Sequence, residues 1–178
     1  MELLSAPRIV HAGPIFTVER REYTASDGRS GPIVRDIVRH PGAVAVVPVL
    51  DDGRLVLIRN FRIAVDQWLW ELCAGKLEPG EDPGAAAGRE LEEETGHAAG
   101  RIEKLGEFYT SPGFADELMR VYLARELRPV PRRLQPDERI EVDAVEPHRV
   151  LRMVESGEIR DGKSIAGLFL WLRWREAS

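Results

Sequence analysis

The segment GKLEPGEDPGAAAGRELEEETGH, residues 75–97, combines a turn-rich start with a strongly acidic second half. Good helix formers fill that second half, and Gly96 stands where a C-terminal helix cap is expected. At about 100° per residue, Glu90 and Glu94 share one face of the helix, and Glu93 lies close to them. The spacing therefore predicts a helix on which three carboxylates converge.

The charge pattern of this helix favours a metal site over an ordinary solvated face. Solvated acidic helices usually place a lysine or arginine four residues from a glutamate. Here Glu90 and Glu94 are like charges at that spacing, Glu92 points away, and Arg89 is the nearby cation. Crowded carboxylates raise one another's pKa unless a cation neutralises them. A hard divalent ion with oxygen ligands, such as Mg²⁺, is the expected counter-charge.

The spacing upstream of the helix extends this pattern into a signature. The positions that match are Gly75, Glu81, Arg89, Glu90, Leu91, Glu93, Glu94 and Gly96. They resemble the Nudix box, G-x5-E-x7-R-E-U-x-E-E-x-G-U with U a bulky apolar residue, at eight positions over 22 residues. His97 departs from the final apolar position, and we expect it only to seat the chain after the helix.

The resemblance implies an α+β protein with the Nudix fold, a mixed β-sheet sandwiched between α-helices, in which the box forms a loop–helix–loop. It implies a metal site whose ligands are Glu90, Glu93, Glu94 and the backbone carbonyl of Ala74. Glu93 is expected to bind metal or to orient the attacking water, and Arg89 to pair with a box glutamate, Glu93 for preference. Glu81 completes the loop, and Gly75 and Gly96 permit tight turns.

The resemblance also implies a reaction, the hydrolysis of a nucleoside diphosphate linked to another moiety. A pyrophosphate repels anionic nucleophiles, so cations must bridge its oxygens and acidify a bound water. Mg²⁺ is the expected cofactor, with Mn²⁺ or Zn²⁺ as substitutes.

Residues outside the box narrow the substrate. Pro112 lies sixteen residues after Gly96, as in the ADP-ribose pyrophosphatase subfamily, and NFRIA and WELCAGKLEPGE resemble that subfamily too. Cys73 is a mild departure, since proline or a small apolar residue is common there. The leading hypothesis is Mg²⁺-dependent hydrolysis of ADP-ribose to AMP and ribose 5-phosphate. The alternatives are another sugar nucleotide such as GDP-mannose, a dinucleoside polyphosphate, or a non-catalytic module that senses ADP-ribose.

The subfamily resemblance suggests a set of substrate contacts. Arg62 is the expected phosphate or ribose clamp, because a guanidinium offers a bidentate fork. Residues that could reach the substrate of a partner subunit are Arg35, Asp36 and Phe16. Pro112 belongs to the wall around the terminal ribose with Gly113 and Phe114, and Glu117 could bind that ribose. For Arg35 a surface ion pair, and for Phe114 core packing, are the alternatives.

The general base is expected on the later loop QPDERIEV, which has the proline and charge of a loop that closes over a site. Glu138 is the preferred candidate. Asp137 and Glu141 are alternatives, and Glu141 could instead point outward from a strand.

The whole chain has 178 residues, and the parts outside the box are predicted to form mainly strands, with helices at the end. Residues 1–40 are predicted to form antiparallel strands, and the subfamily resemblance implies that these strands serve dimerisation and are exchanged between subunits. Residues 41–178 are predicted to form the catalytic domain. GAVAVVPVL and RLVLIRNFR are predicted to pair as a hairpin through Asp51-Asp52-Gly53. Two amphipathic helices are expected at the end, where Trp171 and Trp174 serve packing.

Composition limits the partners. A net charge of −5 argues against a nucleic-acid or membrane surface. Cys73 is the single cysteine, so no intramolecular disulfide forms. Neither a signal peptide nor an apolar run long enough to span a bilayer is evident. We expect a soluble, cytoplasmic homodimer that acts on a small molecule.

Overall fold

The computed structural model describes residues 1–135 and 139–177. The strands are β1 (Arg8–Ala12), β2 (Thr17–Tyr23), β3 (Ile33–Arg39), β4 (Ala43–Pro48), β5 (Leu55–Arg62), β6 (Gln67–Glu71), β7 (Ala74–Lys76), β8 (His97–Tyr109), β9 (Leu118–Pro129) and β10 (Ile140–Val145). The helices are α1 (Pro83–Glu90), α2 (Pro147–Glu155) and α3 (Gly162–Ala177). A 3₁₀ turn at Ile63–Val65 follows β5, and a π-helical turn at Leu91–Thr95 continues α1.

The chain divides into two compact units. The first unit contains residues 1–42 and the distant segment 109–118, and the second contains the remainder of the described chain. In the first unit, β1, β2 and β3 form an antiparallel sheet in that order. The backbone N–H of Val38 in β3 donates to the carbonyl of Phe114 at 2.8 Å, which ties the distant segment to this sheet. The predicted N-terminal antiparallel strand region is confirmed.

The second unit contains two sheets. Strands β7, β4, β9 and β8 form a four-stranded sheet in that order, and it is mixed because β4 runs antiparallel to β7 but parallel to β9. Strands β10, β5 and β6 form an antiparallel sheet. Strands and helices alternate irregularly along the chain, and the predicted α+β class with a mixed sheet is confirmed.

The predicted hairpin between β4 and β5 is wrong. The turn itself forms, because Gly53 has φ 89° and donates its N–H to the carbonyl of Leu50 at 2.9 Å. Only one bridge, between Val49 and Leu55, joins the two strands across the turn. The two strands then separate into different sheets. Strand β4 pairs with β7 on one edge and β9 on the other, whereas β5 pairs with β10 and β6.

Strand β4 shows how the helices cover the four-stranded sheet. Val46 packs in one buried cluster with Leu91, at the end of the box helix. Val47 packs in another with Trp171 of α3. Because successive residues of a strand point to opposite faces, α1 covers one face of the sheet and α3 the other. The predicted sandwich is confirmed, and so is the packing role of Trp171.

Candidate active site

Local signals start and end the box helix. The side chain of Asp82 accepts the backbone N–H of Ala85 at 3.0 Å, and Pro83 occupies the first helical position. After Glu90 the backbone becomes π-helical, and Gly96 ends it with φ 73°, a left-handed conformation that suits glycine. The helix and its glycine cap therefore form as the sequence predicts, but the last turn does not have α-helical geometry.

Arg89 holds the acidic side chains of the box together. Its Nε and Nη2 donate to the two carboxylate oxygens of Glu81 at 2.8 and 3.0 Å. Its Nη1 donates to Glu90 at 2.6 Å and to Glu93 at 3.3 Å. The hydrogen bonds from Arg89 lower the pKa of Glu81 below its ordinary value, and those to Glu81 raise the pKa of Arg89 further. Glu93 was the expected partner, but Glu81 receives the bidentate contact because the loop 78–81 folds back onto the helix.

Two of the predicted metal ligands are buried. Glu90 is 5% exposed and Glu94 is 2% exposed. One oxygen of Glu94 accepts the backbone N–H of Ala74 at 2.9 Å, so the residue whose carbonyl is the predicted fourth ligand already contacts the box. Both carboxylates have partners within the fold, as buried charges require, and Arg89 is the cationic partner of Glu90.

Gly75 is required by space. A Cβ added to Gly75 would overlap the carboxylate of Glu90, so any side chain there would displace that ligand. The expectation that Gly75 permits a tight turn is therefore corrected, because its φ is not in the left-handed range that Gly96 occupies. The absence of a side chain at Gly75 provides the space that the Glu90 carboxylate occupies.

The three carboxylates do not converge as closely as the helical spacing predicts. Within residues 1–135 and 139–177, no group of three His, Cys, Asp or Glu side chains is arranged to hold a metal ion. The reason is twofold: the π-helical turn departs from 100° per residue after Glu90, and Arg89 draws Glu90 and Glu93 toward Glu81 while Glu94 lies on Ala74. The oxygen donors themselves are those that a hard divalent cation prefers.

Arg62 is part of a buried ion cluster that sequence reasoning missed. Its Nε and Nη2 donate to the two oxygens of Glu71 at 2.7 and 2.6 Å, so Glu71 takes the fork that was assigned to phosphate. Lys163 at the start of α3 binds the same carboxylate. The signal available in the sequence was a glutamate inside the apolar run WLWELCAG, which must have a cationic partner if it is buried.

Five predicted substrate contacts line one cavity of about 400 Å³ in the first unit. They are Arg35, Asp36, Pro112, Gly113 and Phe114. Phe114 is 58% exposed, which excludes the core-packing alternative. Asp36 accepts a bidentate contact from Arg20 at 2.7 Å to each oxygen, so its carboxylate is oriented by the neighbouring strand.

Two other predicted contacts are not among the residues that line this cavity. Phe16 precedes β2 and its ring lies 6.0 Å from that of His11. Glu117 accepts the hydroxyl of Thr110 at 2.7 Å. Their roles in substrate binding stay predictions.

The preferred general base lies outside the described residues. Glu138 and its alternative Asp137 fall between residues 135 and 139. Glu141, the other alternative, lies on β10 opposite Arg59, exposed and 3.3 Å from its guanidinium. Glu141 thus points outward from a strand as the second interpretation predicted. Cys73 is buried beneath the box helix, and burial raises the pKa of its thiol well above the ordinary value.

Comparison with known proteins shows the family of this chain. Residues 39–168 match the model of the NUDIX domain. An ADP-ribose pyrophosphatase of Bacillus subtilis is 47% identical over 94% of this chain and 90% of its own length. A methanol dehydrogenase activator of Bacillus methanolicus is 40% identical over 80% of this chain and 78% of its own. A GDP-mannose pyrophosphatase of Salmonella typhimurium is 35% identical over 84% of each chain.

A solved structure, described as the crystal structure of an ADP compounds hydrolase, matches with a TM-score of 0.84. It is 25% identical, and the match covers 99% of this chain and 94% of the other. The chain belongs to the Nudix family. The predicted family and fold are therefore confirmed. Within the described ranges, every helix falls short of the length and apolar character needed to cross a membrane.

Proposed function

We propose that this protein is a Nudix pyrophosphohydrolase that converts ADP-ribose and water to AMP and ribose 5-phosphate. The observation that carries the proposal is the box itself, in which Glu90 and Glu94 are buried beside Ala74 and Gly75 leaves room for the Glu90 carboxylate. The substrate assignment is supported by the 47% identity to an ADP-ribose pyrophosphatase over nearly the full length of both chains.

The metal in this proposal is Mg²⁺, held by Glu90, Glu93, Glu94 and the carbonyl of Ala74. When bound, a divalent cation neutralises pyrophosphate oxygens and lowers the pKa of a water. Mn²⁺ or Zn²⁺ could replace it, since both accept carboxylate oxygens.

In this reaction the protein's side chains orient the attacking water and hold the predicted metal ligands. Glu93, which is only partly buried, orients the water that attacks one phosphorus. The bond between that phosphorus and the bridging oxygen breaks, and the oxygen leaves with the other phosphate. Arg89 holds Glu90 and Glu93 in place through its Nη1. Glu138 remains the predicted general base, and Arg62 and the cavity residues remain the predicted substrate contacts.

The protein is further proposed to act as a cytoplasmic homodimer that exchanges N-terminal strands. Apolar side chains of the N-terminal sheet support an association, because Ile9 and Val10 on β1 and Val34 on β3 are 55%, 41% and 47% exposed. A single buried cysteine suits a reducing compartment. Sedimentation velocity measures the oligomeric state, and a fully active monomer contradicts a shared site.

A second candidate substrate is GDP-mannose, favoured by the 35% identity to a GDP-mannose pyrophosphatase. The two differ in base and sugar but share the pyrophosphate that the box would hydrolyse. A panel of ADP-ribose, GDP-mannose, other sugar nucleotides and dinucleoside polyphosphates, incubated with Mg²⁺ and separated by chromatography, distinguishes them. We expect AMP from ADP-ribose at the highest kcat/KM. Turnover of GDP-mannose alone would reject the ADP-ribose assignment, and binding without turnover would favour a sensor.

A further inference from the structure

Glu71 at the end of β6 is fully buried, with 0% of its surface exposed. Three donors surround its two oxygens: Arg62 Nε and Nη2 at 2.7 and 2.6 Å, and Lys163 Nζ at 2.5 Å. Arg62 keeps 38% of its side chain exposed, whereas Lys163 keeps 14%. The cluster therefore has one cation that faces solvent and one that lies mostly inside the protein.

Burying a charge is costly, and a buried ion pair can often be replaced by apolar residues of similar volume without loss of stability. What an ion cluster adds over apolar packing is orientation, because Glu71 binds the planar fork of Arg62 in a bidentate manner. The third nitrogen of that guanidinium, Nη1, takes no part in the bidentate contact with Glu71.

A second set of contacts anchors Lys163 to the chain that leads into the box. Its Nζ also lies 2.9 Å from Asp161, which accepts the backbone N–H of Ser164 at 2.9 Å. The hydroxyl of Ser164 accepts the backbone N–H of Leu72 at 2.8 Å. Two residues after Leu72, the N–H of Ala74 donates to Glu94. The first turn of α3 is thus connected to both Arg62 and the approach to the metal ligands.

Arg62 is also an electrostatic neighbour of the box. Strand β5, which ends at Arg62, contacts the π-helical turn Leu91–Thr95 that contains Glu94. The hydrogen bonds to Glu71 raise the pKa of the Arg62 guanidinium, and the charge of Glu94 contributes to the same shift. A cation beside the predicted metal ligands is suitably placed to meet the charge of a pyrophosphate.

We propose that Lys163 and Glu71 are positioning residues that hold Arg62 in the orientation in which it binds the pyrophosphate of the substrate beside Glu94. The inference deepens the proposed function and rests on it. Lys163 acts by binding Glu71, the carboxylate that holds the guanidinium fork of Arg62, so that Glu71 stays in place. No contact between Lys163 and substrate is required.

A double-mutant cycle tests this proposal. Lys163→Met, Arg62→Met and the double variant are compared for KM and kcat, and for the Kd of ADP-ribose measured by calorimetry in EDTA. We expect Lys163→Met to raise KM and Kd about tenfold with a smaller change in kcat. In the Arg62→Met background, Lys163→Met should raise KM and Kd by less than about twofold, because the residue that Lys163 positions is absent. Lys163→Arg should recover part of the affinity.

The matched control is Lys104→Met, which removes an exposed lysine whose ion pair with Glu107 is 2.7 Å long. It should leave KM and Kd unchanged. Equal effects of Lys163→Met in both backgrounds, or a lower melting temperature with unchanged KM, would overturn the proposal. If Lys163→Met does not fold, Lys163→Gln takes its place in the cycle.

The two proposals fail in different ways. Wild-type protein that binds ADP-ribose in EDTA but does not hydrolyse it with Mg²⁺ contradicts the proposed function, while the cycle in Kd still decides the role of Lys163. Hydrolysis of ADP-ribose together with additive effects in the cycle contradicts only the positioning role.

Discussion

The molecule contains two acidic clusters of opposite design. Around Arg89, the carboxylates of Glu81, Glu90 and Glu93 share a single guanidinium, and Glu94 lies nearby on Ala74. In the second cluster, two cations, Arg62 and Lys163, match two carboxylates, Glu71 and Asp161. Among these described residues, the first cluster has four carboxylates and one cation, whereas the second has two of each.

The different ratio of carboxylates to cations gives the two clusters different properties. A balanced buried cluster holds its own geometry, because each charge has a counter-charge inside the fold. A cluster with more carboxylates than cations is stabilised by a cation from solution. The box is therefore the part of the molecule that should respond to divalent metal.

The largest expected effect comes from neutralising a buried carboxylate of the box. Glu94→Gln should lower kcat/KM about 10²–10³-fold, because it removes a charged oxygen donor from the predicted metal site. The measurement is steady-state hydrolysis of ADP-ribose at saturating Mg²⁺. Glu92→Gln is the control from the same acidic run, since Glu92 is 39% exposed at its side chain and faces Arg133. Similar losses of kcat/KM in both variants would show that activity depends on the total negative charge of the acidic run and not on the buried carboxylate of Glu94.

Filling the space above Gly75 should have the next largest effect. Gly75→Ala places a methyl group where the Glu90 carboxylate lies, and we expect a loss of about 1–3 kcal/mol in the free energy of unfolding together with weaker metal binding. Denaturant unfolding and a Mg²⁺ titration measure the two effects. Gly31→Ala is the control, because a Cβ there has nothing within 4 Å and its φ is not in the left-handed range. An unaffected Gly75→Ala protein would mean that Glu90 can move without consequence.

Metal addition should separate the two clusters directly. Saturating Mg²⁺ should stabilise the wild-type protein by about 1–3 kcal/mol, because the ion binds the folded state alone, and EDTA should remove the gain. Thermal unfolding with and without Mg²⁺ measures it. Glu90→Gln should lose most of the gain, whereas Lys163→Met should retain it. A gain that disappears in Lys163→Met instead would place the metal response in the balanced cluster.

The smallest expected effect concerns pH. The pKa of Glu81 is lowered mainly by its hydrogen bonds to Arg89, so their contribution to stability is present above the ordinary pKa and is lost as pH falls through the lowered value. Arg89→Met removes this contribution. The stability difference between wild type and Arg89→Met should therefore be constant near neutrality and shrink as pH falls below the ordinary glutamate value. Unfolding free energies between pH 3 and 7 measure it, and a difference that grows on acidification contradicts the assignment.

Local patterns determined much of what was predicted. The box helix and its Gly96 cap depend on residues close in sequence, and the structure contains both. The Nudix assignment rests on the same local spacing. The positions of strands could be predicted from local sequence patterns. Their pairing could not, and the predicted pairing of β4 with β5 is wrong, because distant strands occupy the edges of both.

Charge partners were the least accessible to sequence reasoning. Arg89 has three carboxylates within reach of its guanidinium, and which of them receives the bidentate contact depends on the folding of loop 78–81. Arg62 is predicted from the sequence as a phosphate or ribose clamp, and its bidentate contact with Glu71 is seen only in the structure. Its partner Lys163 is 92 residues away from Glu71, a separation that no local pattern spans.

The sequence by itself determined the family, the acidic helix and the chemistry that its carboxylates favour, because residue type and spacing along one helix carry that information. Only the tertiary structure decided that Gly75 is needed for space, that Arg89 draws carboxylates together, and that Glu71 is buried between two cations. Those features arise where segments far apart in the chain pack against each other, and burial there decides which charges must be paired. The box helix thus has its buried carboxylates beside Ala74 and Gly75 of β7, and β5 ends at the cation Arg62.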